Sequence, residues 1–461
     1  MSLIRRKHVA FFPVETKVRE FDYRLILAIL CARPDWQIII GDHEHIFPLT
    51  LRMKNAVLVL KNVIGGKRPW KYRRYKELGH RIIQLDEEAG IFEGDKEFWK
   101  IELNRRLDIA NMDADDLVCT WGEFQADYYR SLAPPCEAGI TATGHPRMEL
   151  GAPRFGALYR EEADALRARH GNFILINTNL LANNAHGIDV LLVWHKVAPN
   201  DTGFRTRLIE QCAYEVRRAG HFIHLINHLS NTFPDRHIVV RPHPAEDIRT
   251  HQALLRHIPG VTITRDGSLQ AWLQAASVLI HGGCTTAVEA QVCGTPIINF
   301  HPVVDGRFDI LLPNLLGVSC PTPESTAEAI RDLDQTGVMP PLDGTTMAAL
   351  EEMVCNLNPR IDSFDRLSAV IGRCQDDAQP VSFPGVRPQL FLRRLRDGLA
   401  KFTGSLGSLR SLFHSPYKGE DKFPPLDRAD VLRKVEIIRN ITGKPVQVHF
   451  QAARIISITM E

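Results

Sequence analysis

Short apolar runs rich in β-branched residues alternate with helical stretches along most of this chain, and that alternation decides its fold class. HVAFFPV (8–14) is followed by helical periodicity over 18–33, then by WQIIIG (36–41), AVLVLKN (56–62), a basic helix near 67–79, RIIQLD (81–86) and DLVCTWG (116–122). A second series runs from NFILINTN (172–179) through a long helix around 203–230 to HIVVRPH (237–243), VTITR (261–265), ASVLIHG (276–282) and TPIINF (295–300). Strands that alternate with helices build parallel sheets from βαβ units. Two series of similar size predict an α/β protein of two Rossmann-like halves facing across a cleft. Ligands of such sheets sit beyond the carboxyl ends of the strands.

The expected division is a first unit over 1–160, a second over 161–380, and a C-terminal extension over 381–461 that follows the Pro-rich stretch 375–389. In the extension Leu392, Leu395, Leu399, Phe402, Leu406, Leu409 and Phe413 recur at helical spacing beside Arg393, Arg394, Arg396, Lys401 and Arg410. Such a stripe suits an anionic inner-membrane surface contacted peripherally. Gly398, Gly404 and Gly407 weaken it as a free helix and favour packing back onto the body.

Length and charge narrow the class further. At 461 residues the chain exceeds one ordinary core. Lys and Arg number 56 against 54 acids, so no whole-chain field would hold nucleic acid. KRPWKYRRYK (67–76) is basic and aromatic, but a solvated helix face or a site near an acidic acceptor explains it better than RNA. The absence of a signal-peptide pattern and of any long apolar run predicts a cytoplasmic protein. Nine cysteines, odd in number and without metal-ligand spacing, predict free thiols rather than zinc or disulfides.

Two motifs of the second series carry chemistry. In HIVVRPHP (237–244) a β-branched strand ends in Arg241 and His243, with Pro242 and Pro244 stiffening the turn. His243 can serve a departing phosphate, and Arg241 can add charge-assisted contacts; the competing reading is a histidine that only caps a turn. In ASVLIHGGCTTAVEAQVCGTP (276–296) a strand runs into Gly282 and Gly283, then Thr285 and Thr286, then a helix. Glycines admit a ligand close to the backbone, and hydroxyls with free N–H groups at a helix start bind an anion. Glu289, one turn on, is placed for ribose hydroxyls. The competing reading is a threonine N-cap with glycines needed only for packing. The two motifs together favour a nucleotide phosphate site.

The first series supplies carboxylates. Asp86, Glu87 and Glu88 stand at a strand end before Gly90, where mutual repulsion raises at least one pKa and suits a base or nucleophile. A solvated acidic turn is the bland alternative. Glu15, Lys17 and Arg19 follow the first strand and either orient an acceptor or cap a helix. TGHPRMEL (143–150) reads as a hinge with Arg147 near the cleft, Asn177 and Asn179 end the strand at 172–179, and FHPVVDG (300–306) is placed to contact base or donor.

The ordered series LDEEAG, CTWGEFQA, TGHPRMEL, FILINTNL, VRPHPAED, IHGGCTTAVEA and GTPIINF resembles the bacterial "surface carbohydrate biosynthesis protein" family over roughly residues 8–320. The resemblance implies a GT-B glycosyltransferase-like fold, with acceptor on the first domain and nucleotide donor on the second, and work on capsule or O-antigen glycans. CMP-sialate and CMP-Kdo transferases show a similar order of an acidic, an HP and a Ser/Thr motif. That similarity gives Asp86, Glu87 and Glu88 base or nucleophile duty, His243-Pro244 the leaving CMP phosphate, and Thr285-Thr286 phosphate binding. Ala89 stands between the acids and Gly90, where the pattern has no residue, which leaves the catalytic acid and the anomeric outcome open. The expected reaction is transfer of a 3-deoxy-ulosonic acid (Kdo, Kdn or sialic-like) from a CMP donor to a glycan or lipid-linked glycan acceptor, with no metal and no cofactor. Three alternatives stand beside it: a CDP-glycerol-type polyol-phosphate transferase, a UDP-sugar 2-epimerase, and a non-catalytic polysaccharide-assembly partner.

Overall fold

The computed structural model describes residues 6–61, 69–90, 92–132, 139–180, 201–244, 246–382 and 422–461. Fourteen strands form two sheets among these residues. The first sheet contains β1 (His8–Val14), β2 (Trp36–Asp42), β3 (Val57–Leu60), β4 (Arg81–Leu85), β5 (Leu117–Thr120) and β6 (Ile140–Ala142), all parallel. The second contains β7 (Ile174–Asn177), β8 (Ile238–Arg241), β9 (Val261–Ile263), β10 (Val278–His281), β11 (Ile297–Phe300) and β12 (Val318–Cys320), again all parallel. These are two Rossmann-like parallel sheets, as the alternating pattern predicts.

Burial explains why the central strands read as continuous apolar runs. Every residue of β2 and of β10 is buried, because helices cover both faces of a parallel sheet. The spatial orders locate the crevices. In the first sheet β1 lies between β2 and β3, and in the second β7 lies between β8 and β10. Each sheet therefore reverses its winding once, between β1 and β3 or between β7 and β10. A ligand crevice opens at such a reversal.

The described C-terminal segment packs on the body, partly as strands rather than as helix alone. Residues 446–460 make a hairpin, β13 (Val446–Ala452) and β14 (Ile455–Met460), and β14 pairs antiparallel with β2 through Ile456↔Ile40 and Ile458↔Ile38. Helix Arg428–Thr442 packs on helix Lys17–Leu30. The described part of the extension is thus built into the first sheet. Gly41 makes this possible, since a Cβ there would strike the Arg454 carbonyl oxygen. Helix Ser363–Asp376 has also returned to the first half, with Gln375 Nε2 donating to the Cys31 carbonyl at 3.0 Å. The second unit expected over 161–380 thus gives its last helix to the first. The apolar stripe at 390–413 lies outside the described residues. No described helix is long and apolar enough to cross a membrane.

Candidate active site

The HP turn is held by a carboxylate that sequence reasoning passed over. Glu246 Oε1 accepts from the His243 backbone N–H at 3.0 Å and from the Thr178 hydroxyl at 2.9 Å, while Oε2 meets His251 Nε2 at 2.7 Å. Arg265 braces the same turn from outside, donating to the carbonyls of Pro242 (3.3 Å), His243 (3.0 Å) and Glu246. The only trace of this in the sequence is an acid three residues after the histidine. Arg241 points elsewhere than expected. Its guanidinium donates to the carbonyls of Arg265, Asp266 and Gly267 and lies over the Trp272 ring, and burial pushes its pKa down to about 10. It shapes the wall beside the HP turn rather than reaching across it.

His243 is half-buried. Burial, reinforced by Arg19, pushes its imidazole down to about 4, so it is neutral at pH 7. Beside it the chain leaves β10 through Gly282 and Gly283. A Cβ at Gly282 would strike the Phe222 ring, and Gly283 has φ +74°, a conformation that favours glycine. Helix Thr286–Cys293 follows, with Thr285 at its N-cap position but making no side-chain cap hydrogen bond. The side-chain capping alternative is therefore not realised, and the Ala287 and Val288 amides instead donate back to the Cys284 and Thr285 carbonyls at 3.1 and 3.0 Å. The Thr286 hydroxyl oxygen is buried without a hydrogen-bond partner among the described residues.

Opposite stands Arg147, carried by the buried turn Pro146–Gly151 within TGHPRMEL. His145 is fully buried between Tyr23 and Trp121, and its Nδ1 accepts the Arg147 backbone N–H at 3.2 Å. The Arg147 side chain is only 3% exposed, yet its three guanidinium nitrogens have no hydrogen-bond partner among the described residues. Its carboxylate neighbour is Glu289 of the second half, 3.7 Å away. Burial raises the Glu289 pKa against the pull of Arg147 and Arg19. Arg147 is thus a buried cation whose hydrogen bonds are unmade.

The three acids at the end of β4 divide. Asp86 accepts two bonds from Arg106, at 2.6 and 2.7 Å, and one from the Glu88 amide at 3.0 Å. Glu87 is 2% exposed; Tyr23 and Arg24 (3.0 Å) donate to it, and His145 Nε2 lies 3.4 Å away. Burial opposes its ionisation, but His145, Arg24 and Arg147 together hold the carboxyl well below its usual range. Glu88 alone keeps substantial exposure, between Arg19 (3.4 Å) and Arg106 (3.3 Å), and its charge is felt at His243. Glu15 is also occupied: Lys61 and Lys422 (2.8 Å) pair with it, and against the cost of burial they draw its pKa down to about 2.

Two cavities meet at His243. One, of about 300 Å³, is lined by Arg19, Arg147, Arg241 and Arg265 against Asp22 and Glu289, together with Asn177, Pro244, Thr285 and Thr286. The other, of about 260 Å³, lies under Gly282 and Gly283 and takes in Asn179. The structure therefore brings His243, Pro244, Thr285, Thr286, Glu289, Arg19, Arg147 and Asn177 to one cleft, and gives Glu15, Asp86 and Glu87 other partners. Among the described residues, one carboxylate group has metal-binding spacing, Asp113, Asp115 and Asp116, and Lys76 Nζ sits on it at 2.8 to 3.4 Å. Lys76 belongs to the basic stretch 67–76, whose Tyr72 and Tyr75 are buried. That stretch is therefore partly turned inward.

No protein-family model and no curated protein matches the chain. Solved structures similar to it include the wall teichoic acid polymerase TagF soaked with CDPG, at 13% identity over 81% of this chain and 90% of that one, TM-score 0.46. Staphylococcus aureus MnaA with UDP is similar at 13% identity over 79% and 94%, TM-score 0.44. The UDP-GlcNAc 2-epimerase of Neisseria meningitidis, bound to UDP-GlcNAc, is similar at 11% identity over 80% and 98%, TM-score 0.44.

Proposed function

We propose that the chain is a transferase that binds a nucleoside-diphosphate-linked donor in the arginine-lined cavity and passes a polyol-phosphate or related phosphoryl group to a hydroxyl acceptor. The observation that carries this reading is Arg147, a buried guanidinium with unmade hydrogen bonds facing a helix start without a side-chain cap. A buried guanidinium with unsatisfied donors carries a desolvation cost that Glu289 at 3.7 Å offsets only in part, and a bound anion reduces it further. Four arginines against two carboxylates around the cavity suit two phosphoryl groups better than one. That charge moves the reading from a CMP-ulosonic acid donor to a CDP-type donor, because the extra cations such a donor needs are present.

The nucleophile's base is assigned to His243. Asp86 and Glu87 are engaged by Arg106 and by Arg24 with Tyr23, whereas a neutral imidazole can accept a proton at pH 7. In the reaction the acceptor oxygen forms a bond to the distal phosphorus as its proton passes to His243. The bond from that phosphorus to the bridging oxygen breaks, and the electron pair leaves on the nucleoside monophosphate. Arg147 stabilises that charge. Glu289 is positioned for the ribose.

The test is incubation of the full chain with CDP-glycerol, UDP-GlcNAc and CMP-Kdo, each with and without a polyol-terminated acceptor, read by phosphorus and proton NMR. A new phosphodiester with release of CMP supports the proposal. Isomerisation of UDP-GlcNAc without acceptor would replace it with an epimerase using Glu88, and a new glycoside from CMP-Kdo would restore ulosonic acid transfer.

A further inference from the structure

The second cavity has the opposite electrical character from the first. Glu93, Glu215 and Glu246 line it against the single guanidinium of Arg218. Arg218 is engaged by Glu215 at 2.6 Å and by the Gly282 carbonyl, so it offers little to a phosphate. Glu93 reaches in from the first half and accepts from Arg207 (3.2 Å) and Gln211 on helix Thr202–Thr232. Burial raises its carboxyl to about 7. Asn179, Gln211 and Asn314 add amide groups, and the Asn314 side-chain oxygen is buried without a partner among the described residues. The Tyr214 and Phe308 rings, 5.6 Å apart, supply an apolar wall.

We propose that this acidic cavity is the acceptor subsite, and that it takes the terminal group of an uncharged polyol or sugar and presents a hydroxyl to His243. The assignment rests on the donor reading given above. Carboxylates and amides bind hydroxyls and repel phosphate, and aromatic faces pack against the C–H side of a polyol. Displacement at phosphorus requires attacking and leaving oxygens in line, on opposite sides of the reacting atom. Two cavities of opposite charge that share His243 as a wall meet that requirement, with the nucleotide entering from one and the hydroxyl from the other. Phosphate in this cavity finds no free guanidinium among the described residues, because Arg218 is engaged by Glu215 and the Gly282 carbonyl and Arg207 by Glu93, so the charge contrast favours the nucleotide on the other side.

The experiment is saturation-transfer NMR on the full chain with ribitol, and separately with glycerol 3-phosphate, each in the presence of excess CMP. Ribitol should give signals that CMP does not displace, and glycerol 3-phosphate should give none once CMP fills the cationic cavity. Asn314→Leu and Gln211→Leu should each weaken the ribitol signal about tenfold, the loss of one or two buried hydrogen bonds. Stabilisation of both variants by CMP should be unchanged, which reports that they fold. Displacement of ribitol by CMP, equal ribitol signals in the variants, or preference for glycerol 3-phosphate under excess CMP would overturn the assignment. If ribitol behaves as expected while CMP fails to stabilise the wild type, the donor reading falls and the polyol cavity stands.

Discussion

The two halves share a winding pattern but treat its reversal point in opposite ways. Beyond β1 and β3 the first half places Glu15 and Lys61, and Lys422 from the C-terminal segment completes the set, so charges are neutralised by protein alone. Beyond β7 and β10 the second half places Asn177, Gly282, Gly283 and a helix start without a side-chain cap, and across from them the Arg147 guanidinium has no hydrogen-bond partner among the described residues. In one crevice the charged side chains pair with one another, and in the other a buried guanidinium is left without such bonds among the described residues. The same topology therefore says where a site can be, and the balance of charge says whether it is used.

That contrast can be broken most severely at His243. His243→Ala should lower turnover about a thousandfold, the usual range for a lost general base. Stabilisation by CDP-glycerol in a thermal-shift assay should persist, and loss of binding with unchanged turnover at saturation would refute the role. On the paired side, Glu87→Gln should cost about 3 kcal/mol in denaturant unfolding, because Arg24 would be left buried and uncompensated. Full stability with abolished turnover would instead make Glu87 catalytic.

Acid should separate the two reversal points. His281 at the end of β10 is fully buried, and burial holds its pKa at about 4. A folded pKa below the unfolded value contributes stability above pH 6.5 that is lost as pH falls toward 4. From pH 6.5 to 4.5 this amounts to about 2 kcal/mol. Glu15, with its folded pKa near 2, keeps its contribution above pH 4.5 and loses it only as pH falls toward 2. Hydrogen exchange at residues 278–283 should therefore quicken before that at residues 14–16, and the reverse order would contradict the assignment.

Smaller effects sharpen the comparison. Arg147→Met should weaken nucleotide binding by about 2 kcal/mol, the value of charge-assisted hydrogen bonds, and leave the unliganded protein at least as stable. A fall in unliganded stability would mean that Arg147 is already satisfied by the protein. Lys422→Met should cost under about 1 kcal/mol, since that pair is partly exposed. A larger loss in thermal unfolding would show that the pair carries more of the fold than its exposure indicates.

The central strands were legible because burial on both faces leaves uninterrupted apolar runs, and His243, Thr285 and Thr286 were legible because they end such runs. The three-residue edge strands β6 and β12 were not anticipated, whereas β9, equally short and also at an edge, stood out as the β-branched run VTITR. The hairpin β13–β14 was not anticipated, because its pairing with β2 is decided by residues some four hundred positions away. The acids at 86–88 announce negative charge but not their counterions: Arg24 and Arg106 arrive from separate helices. Arg147 stood in the sequence as a cleft residue, yet its missing partners are a property of the packed interior.

The hairpin sets an order of assembly. Strands β7 to β12 lie wholly within residues 174–320, whereas β2 receives its outer neighbour only from residues 455–460. During synthesis the second sheet can close while β2, all seven residues of which end up buried, still presents an open edge to the surroundings. For that interval the half of the molecule made first is the half most exposed to mispairing with other nascent chains, until residues 455–460 emerge to cover the edge.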